Sequence, residues 1–366
     1  MGTIGTIFTI SLILAILILI IYLFSKKEDS EFLPHFHIKR HHANPILKPI
    51  NHNDWEGAGA FNPAVLIDDK GHVHMVYRAL GHDGMSKIGY AKSKDGINFD
   101  ERLPYPVYVM ENPRNIENQD KKPNFKMYPS GGSWGGCEDP RLVRIDGNVY
   151  MTFNAFDGWD FIRIGVVKIN ERDFFNQRFD WKKLLFISPQ GEVNKNWVLF
   201  PEKINGKFAI LHGITPKIQI DFVDRLEQLS TGHTKIKSIY SQNKAIQSWE
   251  EFIRGAGPPP IKTEKGWLVL YHAHKKNEMN KYSLGAMILD LHDPTKVIAK
   301  APMPIPNPQE WYENDWKPGV IYACGAVIKD DRLIVYYGGG DKYVCIGETN
   351  IHELLEWIIN NNAIKN

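Results

Sequence analysis

Cysteine is scarce in this chain: Cys137, Cys324 and Cys345 are the only three among 366 residues. Their odd number and wide separation give neither a zinc-ligand spacing nor a disulfide framework, so thiols packed in strands are expected. A surplus of charge is missing too. The 44 basic and 42 acidic residues leave a formal charge of +2, which removes the electrostatic case for nucleic acid as a partner. No asparagine stands in an Asn-x-Ser/Thr sequon. Helical periodicity is almost absent. The one convincing helix is the tail "NIHELLEWI", where Asn350 and Glu353 make a capping-box pattern ahead of an apolar stripe.

One long hydrophobic run is present. From Ile4 to Phe24 no residue is charged, which is enough to cross a bilayer as a single helix. No basic region precedes the run and no small-x-small site follows it, so an anchor fits better than a cleaved signal peptide. Lys26 and Lys27 follow directly and place the remaining chain in the cytosol by the positive-inside rule, a lumenal or extracellular side being the alternative. The expectation is a single-pass membrane protein that meets the lipid bilayer through residues 4–24. Residues 1–27 form the anchor, residues 28–52 a polar stalk and residues 53–366 the working domain. His35, His37, His41 and His42 in the stalk read as a solvated basic linker, and no metal site is expected.

Beyond the stalk the chain repeats itself. It is 43% hydrophobic and 12% aromatic, enough to bury a large core. Five stretches share a strand, a Gly or Asp turn and a second apolar strand: "NPAVLIDDKGHVHMVYRA" from Asn62, "DPRLVRIDGNVYMTFNA" from Asp139, "FPEKINGKFAILHG" from Phe200, "PPIKTEKGWLVLYHA" from Pro259 and "CGAVIKDDRLIVYYGG" from Cys324. The turns supply the tight reversals of hairpins. Recurrence of such a unit with room for about four short strands is the signature of a propeller. An all-β, five-bladed β-propeller is expected, preceded by the transmembrane helix and closed by the short C-terminal helix.

Charges collect where the first strand of each unit begins. Asn62 stands there in the first unit, Glu138, Asp139 and Arg141 in the second, and Glu202 with Lys203 in the third. The second strands end in Arg78, His212 and His272, with Asp341 just past a glycine run. In a propeller these positions converge on a central funnel, which makes them candidates for one polar site.

The segments "FNPAVL", "YRALGHDGMSKIGYAKSKDG", "GCEDPRLV", "LFPEKINGKFAILH", "GAGPPPIKTEKGWLVLYHAH", "YSLGAMILDLHDP" and "YYGGGDKYV", in this order, resemble glycoside hydrolase family 130, the β-mannoside phosphorylases and related β-mannosidases. The resemblance runs from Asn62 to Trp357. It implies a five-bladed propeller, an oligosaccharide substrate and inverting cleavage of a terminal β-mannosyl unit. It also implies that Asp139 is the general acid, delivering its proton through a sugar hydroxyl. Asn62, Arg78, Asp83, Glu138, Arg141, His212, His272, Tyr282 and Asp341 are the expected substrate-binding residues. An acid at neutral pH needs a raised carboxyl pKa, which burial and the neighbouring Glu138 would favour and Arg141 would oppose.

The nucleophile side departs from the family pattern. Phosphorylases of the family carry arginine after the third-unit histidine, where this chain has Gly213, and lysine before the fourth unit, where it has Ile253 followed by Arg254. Lys195 is kept. Loss of two of three phosphate anchors favours hydrolysis over phosphorolysis, with Glu250 and Glu251 as base candidates beside Lys195 and Arg254. No cofactor is expected, inorganic phosphate being the one conceivable co-substrate. Two other classes stay open: a β-mannosyltransferase using a nucleotide sugar, and a sugar-binding propeller without catalysis, against which the acidic Asp139 argues.

Overall fold

β-Branched and aromatic runs broken by Asp-Gly, Asn-Gly and Lys-Gly turns give antiparallel hairpins throughout the computed structural model, which describes residues 36–110, 132–156, 162–232, 234–239, 248–279 and 281–364. The described chain is mostly β with few helices. After a short β1 (Lys39–Arg40), the first meander is β2 (Gly59–Ile67), β3 (Val73–Leu80) and β4 (Met85–Ser93), with β5 (Glu101–Arg102) on β4. The second is β6 (Gly135–Ile145), β7 (Asn148–Phe156), β8 (Ile162–Asn170) and β9 (Leu185–Phe186). The third is β10 (Val198–Leu199), β11 (Phe208–Gly213) and β12 (Gln219–Val223). In the fourth, β13 (Phe252–Ala256) and β14 (Ile261–Thr263) both pair with β15 (Gly266–His274), followed by β16 (Ser283–Leu289) and β17 (Val297–Lys300). The fifth is β18 (Ile321–Lys329), β19 (Arg332–Gly339) and β20 (Tyr343–Asn350).

Among the described residues, pairings beyond the hairpins tie the meanders together, one of them a parallel bridge between Tyr282 and Val320 that joins the fourth meander to the fifth. β4 and β6 run parallel where Met85 faces Gly135 and Ser86 faces Gly136. A side chain at Gly136, with φ +100°, would lie 2.0 Å from the Ser86 carbonyl oxygen, so only glycine permits this approach. A further connection is β1, which pairs antiparallel with β20 through Lys39–Glu348 and Arg40–Gly347 and so completes the fifth meander with residues from the other end of the domain.

Apolar faces of neighbouring meanders fill the spaces between them. Ala64, Val76 and Tyr90 meet Leu142, Met151 and Phe153 between first and second, and Val143, Tyr150 and Ile164 meet Trp197, Leu199 and Ile210 between second and third. Val198, Phe200 and Leu211 meet Trp267, Val269 and Tyr271 between third and fourth. Val73, Met75 and Tyr77 meet Ile334, Tyr336 and Val344. That last cluster brings the fifth meander back against the first.

Among the helices α1 (Glu171–Phe175), α2 (Glu227–Ser230) and α3 (Ile351–Asn360), the tail helix α3 lies where its sequence pattern predicts. Asn350 caps it by accepting from the amides of His352 and Glu353, while Leu354, Leu355 and Ile358 are buried. The three cysteines are free thiols, all buried.

The stretch from His37 to His52 is not a stalk. Ile38 and Leu47 are buried, Ile46 donates to the Val344 carbonyl, and β1 is a sheet strand. The apolar residues scattered through this polar segment are its docking face. The proposed anchor and stalk residues 28–35 lie outside the described residues, among which no helix is long and apolar enough to cross a membrane.

Candidate active site

Two residues share an unusual local geometry. Asn62 in β2 and Asp139 in β6 each precede a proline, and each takes a positive φ, +48° and +52°. Both sit in a bulge, between Phe61 and Ala64 and between Glu138 and Arg141. Asparagine and aspartate tolerate left-handed backbone better than other side-chain-bearing residues, and the bulge re-aims the side chain out of the sheet alternation. β13 repeats the bulge at Arg254, between Ile253 and Gly255, and Gly255 there takes a positive φ of +125°. Opposite these bulges stand Arg78, Asn154 and His272, partners of Phe61, Glu138 and Gly255.

The result is a buried, fully bonded carboxylate. Asp139 Oδ1 accepts from Asn62 Nδ2 at 2.7 Å and from Arg78 Nη1 at 3.0 Å, and Oδ2 accepts from Asn154 Nδ2 at 3.2 Å. Arg78 also donates Nη2 to Glu138 Oε1 at 2.9 Å and to Ser133 Oγ at 2.9 Å, and Nε to Ser86 Oγ at 2.9 Å. Lys195 Nζ lies 3.4 Å from Glu138 Oε2. Burial pushes the Asp139 carboxyl up, but Arg78, Arg141, the Asn62 hydrogen bond and Lys195 together hold it below the usual carboxylate range. The raised acid expected from burial and Glu138 is therefore not what this site presents without substrate.

A second layer fixes the first. Arg141 donates Nη1 to the Asp139 carbonyl at 2.7 Å and Nη2 to Asn196 Oδ1 at 3.0 Å. Asn196 Oδ1 also accepts from the Tyr322 hydroxyl at 2.7 Å, and its amide N–H donates to Asn154 Oδ1 at 3.0 Å. His272 stacks on Tyr322 with centroids 3.9 Å apart and planes 9° apart, and its Nε2 accepts from the Ala323 amide at 2.9 Å. Burial and Arg141 push the His272 imidazole down to about 3, so the ring is neutral and its buried Nδ1 carries the proton, with no partner among the described residues.

Tyr282 packs edge-on to Tyr322 at 5.8 Å, and the charge of Arg254 acts on it. Asp341 pairs with Lys317 at 3.2 Å, and its charge acts on Arg78 and Tyr282. A small adjoining cavity is lined by Lys195, Asn196, His212, Gly213, Gln219 and Arg254, with no carboxylate among its described lining. His212 is set by Asp221 Oδ2 at 2.8 Å on Nε2 and Ser238 Oγ at 2.9 Å on Nδ1. The place a side chain would take at Gly213 is filled by the Gln219 amide, 2.4 Å from an added Cβ.

Other expected residues lie elsewhere. Asp83 is a half-exposed turn residue that accepts from the Met85 amide and pairs with Lys87 at 2.7 Å. Glu250 is buried inside the fourth meander, accepting from Tyr271 at 2.7 Å and Lys300 at 2.7 Å. Glu251 accepts from the Lys276 amide at 2.6 Å. Neither glutamate lines the cavity beside Lys195. Glu202 and Lys203 are tied to Lys262 and Asp146 on the surface, because the first strand of the third meander is β10, which ends before Phe200. Sequence reasoning missed Asn154, Asn196, Tyr322 and Ser133. Asn154 carried a readable signal: "YRA", "FNA" and "YHA" end the second strands of three units, and only the middle polar residue was passed over.

The family described as beta-1,4-mannooligosaccharide phosphorylase matches residues 37–360. A 1,2-beta-oligomannan phosphorylase of Thermoanaerobacter sp. (strain X514) is 38% identical over 317 residues, 84% of this chain and 95% of that protein. A beta-1,2-mannobiose phosphorylase of the same strain is 36% identical over 323 residues, 84% of this chain and 96% of that protein. Among solved structures, the beta-1,2-mannobiose phosphorylase from Listeria innocua superposes with a TM-score of 0.65 at 24% identity, covering 87% of this chain and 98% of that one. A glycosyl hydrolase from Bacteroides ovatus gives 0.65 at 23%, covering 87% and 94%. These two share the fold.

The expected single-pass membrane localisation is corrected by the same findings. The two Thermoanaerobacter phosphorylases are matched over nearly their whole length, and the family match begins only at residue 37. Nothing in the described residues or the relatives supports an association with a bilayer, and none of the named relatives is a glycosyltransferase. By the match across residues 37–360 and the identity to these relatives, the chain belongs to glycoside hydrolase family 130, the β-mannoside phosphorylases and their kin.

Proposed function

We propose that this protein is an inverting phosphorylase of β-1,2-linked mannosides, built as a five-bladed propeller in which each meander is one blade. The sheet order, the return of the fifth meander onto the first and the convergence of β2, β6, β13 and β18 on one polar cluster support the propeller reading. The observation that carries phosphorolysis is the cavity beside Asp139. It presents Lys195 and Arg254 with His212 and no described carboxylate, while both base candidates are engaged elsewhere. A hydrolase needs a carboxylate to activate water there; a phosphorylase needs cations.

In this reading a phosphate oxygen attacks C1 of the terminal mannosyl unit from the face opposite the leaving group, forming the C1–O–P link as the glycosidic bond breaks. The departing oxygen takes a proton from a sugar hydroxyl, which recovers it from Asp139. The product is α-mannose 1-phosphate and the shortened saccharide. Lys195 helps to depress the Asp139 carboxyl in the free site, and a phosphate anion drawn to Lys195 offsets that influence. Phosphate binding thus moves the carboxyl part of the way back towards its protonated form, while Arg78 and Arg141 still oppose it. The linkage follows the names of the two Thermoanaerobacter relatives.

The test is product analysis. β-1,2-Mannobiose and β-1,4-mannobiose are each incubated with and without inorganic phosphate. The expected result is α-mannose 1-phosphate from the β-1,2 substrate, with turnover saturating in phosphate. Free mannose at an equal rate without phosphate would overturn it in favour of hydrolysis.

A further inference from the structure

Trp316 is 41% exposed yet tied at two points to the Asp139 cluster. Its six-membered ring rests on the backbone of Gly132, where the left-handed φ of +78° and an overlap with Cη2 both exclude a side chain. The next residue, Ser133, accepts from Arg78 and donates to Glu138 at 2.6 Å inside the site. The next residue along the chain from Trp316 is Lys317, whose Nζ lies 5.5 Å from the indole centroid and pairs with Asp341 at 3.2 Å. An indole held this way stands at the rim of the catalytic cluster.

The loop that carries it is pre-shaped. Glu310 and Glu313 close a reciprocal capping box, Glu313 is clamped by Arg40 and the Tyr337 hydroxyl, and Asn314 Oδ1 accepts from the Gly319 amide at 2.9 Å. Trp311 makes the contrast. It is 57% exposed, but it packs on Tyr312 and Tyr343 and, among the described residues, has no bond to the Asp139 cluster. A rigid aromatic plane at the rim of a sugar site stacks on the C–H face of a pyranose at little entropic cost.

We propose that Trp316 is a sugar platform on the acceptor side, stacking a mannosyl unit beyond the bond that is cleaved and so selecting for oligosaccharides over single sugars. This rests on the mannoside reading of the site but not on phosphorolysis.

Binding is measured by calorimetry in the turnover-blocked Asp139→Asn protein, without phosphate, using β-1,2-mannotriose and mannose. Trp316→Ala should weaken mannotriose binding roughly tenfold and leave mannose within about twofold, while Trp316→Phe retains most of the affinity. Unchanged mannotriose affinity in Trp316→Ala, or equal losses for both sugars, overturns the platform. Failure of the protein with intact Trp316 to bind any mannoside overturns the mannoside reading itself.

Discussion

Arg40 and Glu313 form a two-pronged ion pair, Nε to Oε1 at 2.7 Å and Nη2 to Oε2 at 3.0 Å, joining strand β1 to the loop that carries Trp316. Glu313 is fully buried and also accepts from the Tyr337 hydroxyl and from the amides of Gln309 and Glu310. Arg40→Met leaves that carboxylate without its cation. The expected loss is about 2–4 kcal/mol of unfolding free energy, read by denaturant titration, because breaking a buried pair strands one charge. A loss under about 0.5 kcal/mol would make the pair equivalent to a surface bridge.

Asp139→Asn should cut turnover by a factor of at least about 100 while preserving the fold, since asparagine accepts the left-handed φ and only the titrating group is removed. Circular dichroism checks the fold and product release checks the rate. Retention of more than about a tenth of the activity would assign the acid to another residue.

The neutral His272 makes a prediction about pH. Its value is lowered from 6.5 to about 3 in the folded protein. The stability it contributes is fully present above pH 6.5 and is lost as pH falls towards 3, because the unfolded chain takes up a proton that the folded one refuses. Melting curves for wild type and His272→Gln should converge as pH drops through this window, the variant losing less. Parallel curves would place the pH sensitivity elsewhere.

Glu250 separates the two chemistries. Glu250→Gln should destabilise the fold by about 2–4 kcal/mol, since Lys300 loses its buried partner. Activity of the protein that remains folded should stay within twofold of wild type. A folded variant with turnover abolished would restore Glu250 as the base and hydrolysis with it.

Much of the architecture was legible because hairpin chemistry is local. Four of the quoted units became β2–β3, β6–β7, β14–β15 and β18–β19, the third held only β11, and the turns of the first four fell where Lys-Gly, Asp-Gly and Asn-Gly stood. The first strand of a unit was harder. β10 has only two residues, so its apolar signal was too short to anchor the third unit on Asn196, and "FPEK" drew the alignment downstream. β13 hid for a related reason: Pro258, Pro259 and Pro260 separate it from β14 and made the later segment look like the strand start. Glu250 and Glu251 looked right because they lie close in sequence to Arg254, but whether a side chain meets the cavity or the interior of a sheet depends on tertiary register. Tyr322 lies two residues before the marker cysteine, and its value depends on His272, 50 positions away and visible only once β15 and β18 are neighbours.

The pairing of β1 with β20 has a consequence for how the protein is made. Lys39 cannot meet Glu348 until nearly the whole domain has left the ribosome. Until then the outer edge of the last sheet does not exist, and the segment that will cover it waits unpaired in the nascent chain. Contacts this distant in sequence slow folding, because a large loop must close before they repay its entropy. Completion of the fifth sheet is thus a late step, and interruption of synthesis before residue 343 leaves the strand at residues 39–40 with nothing to join.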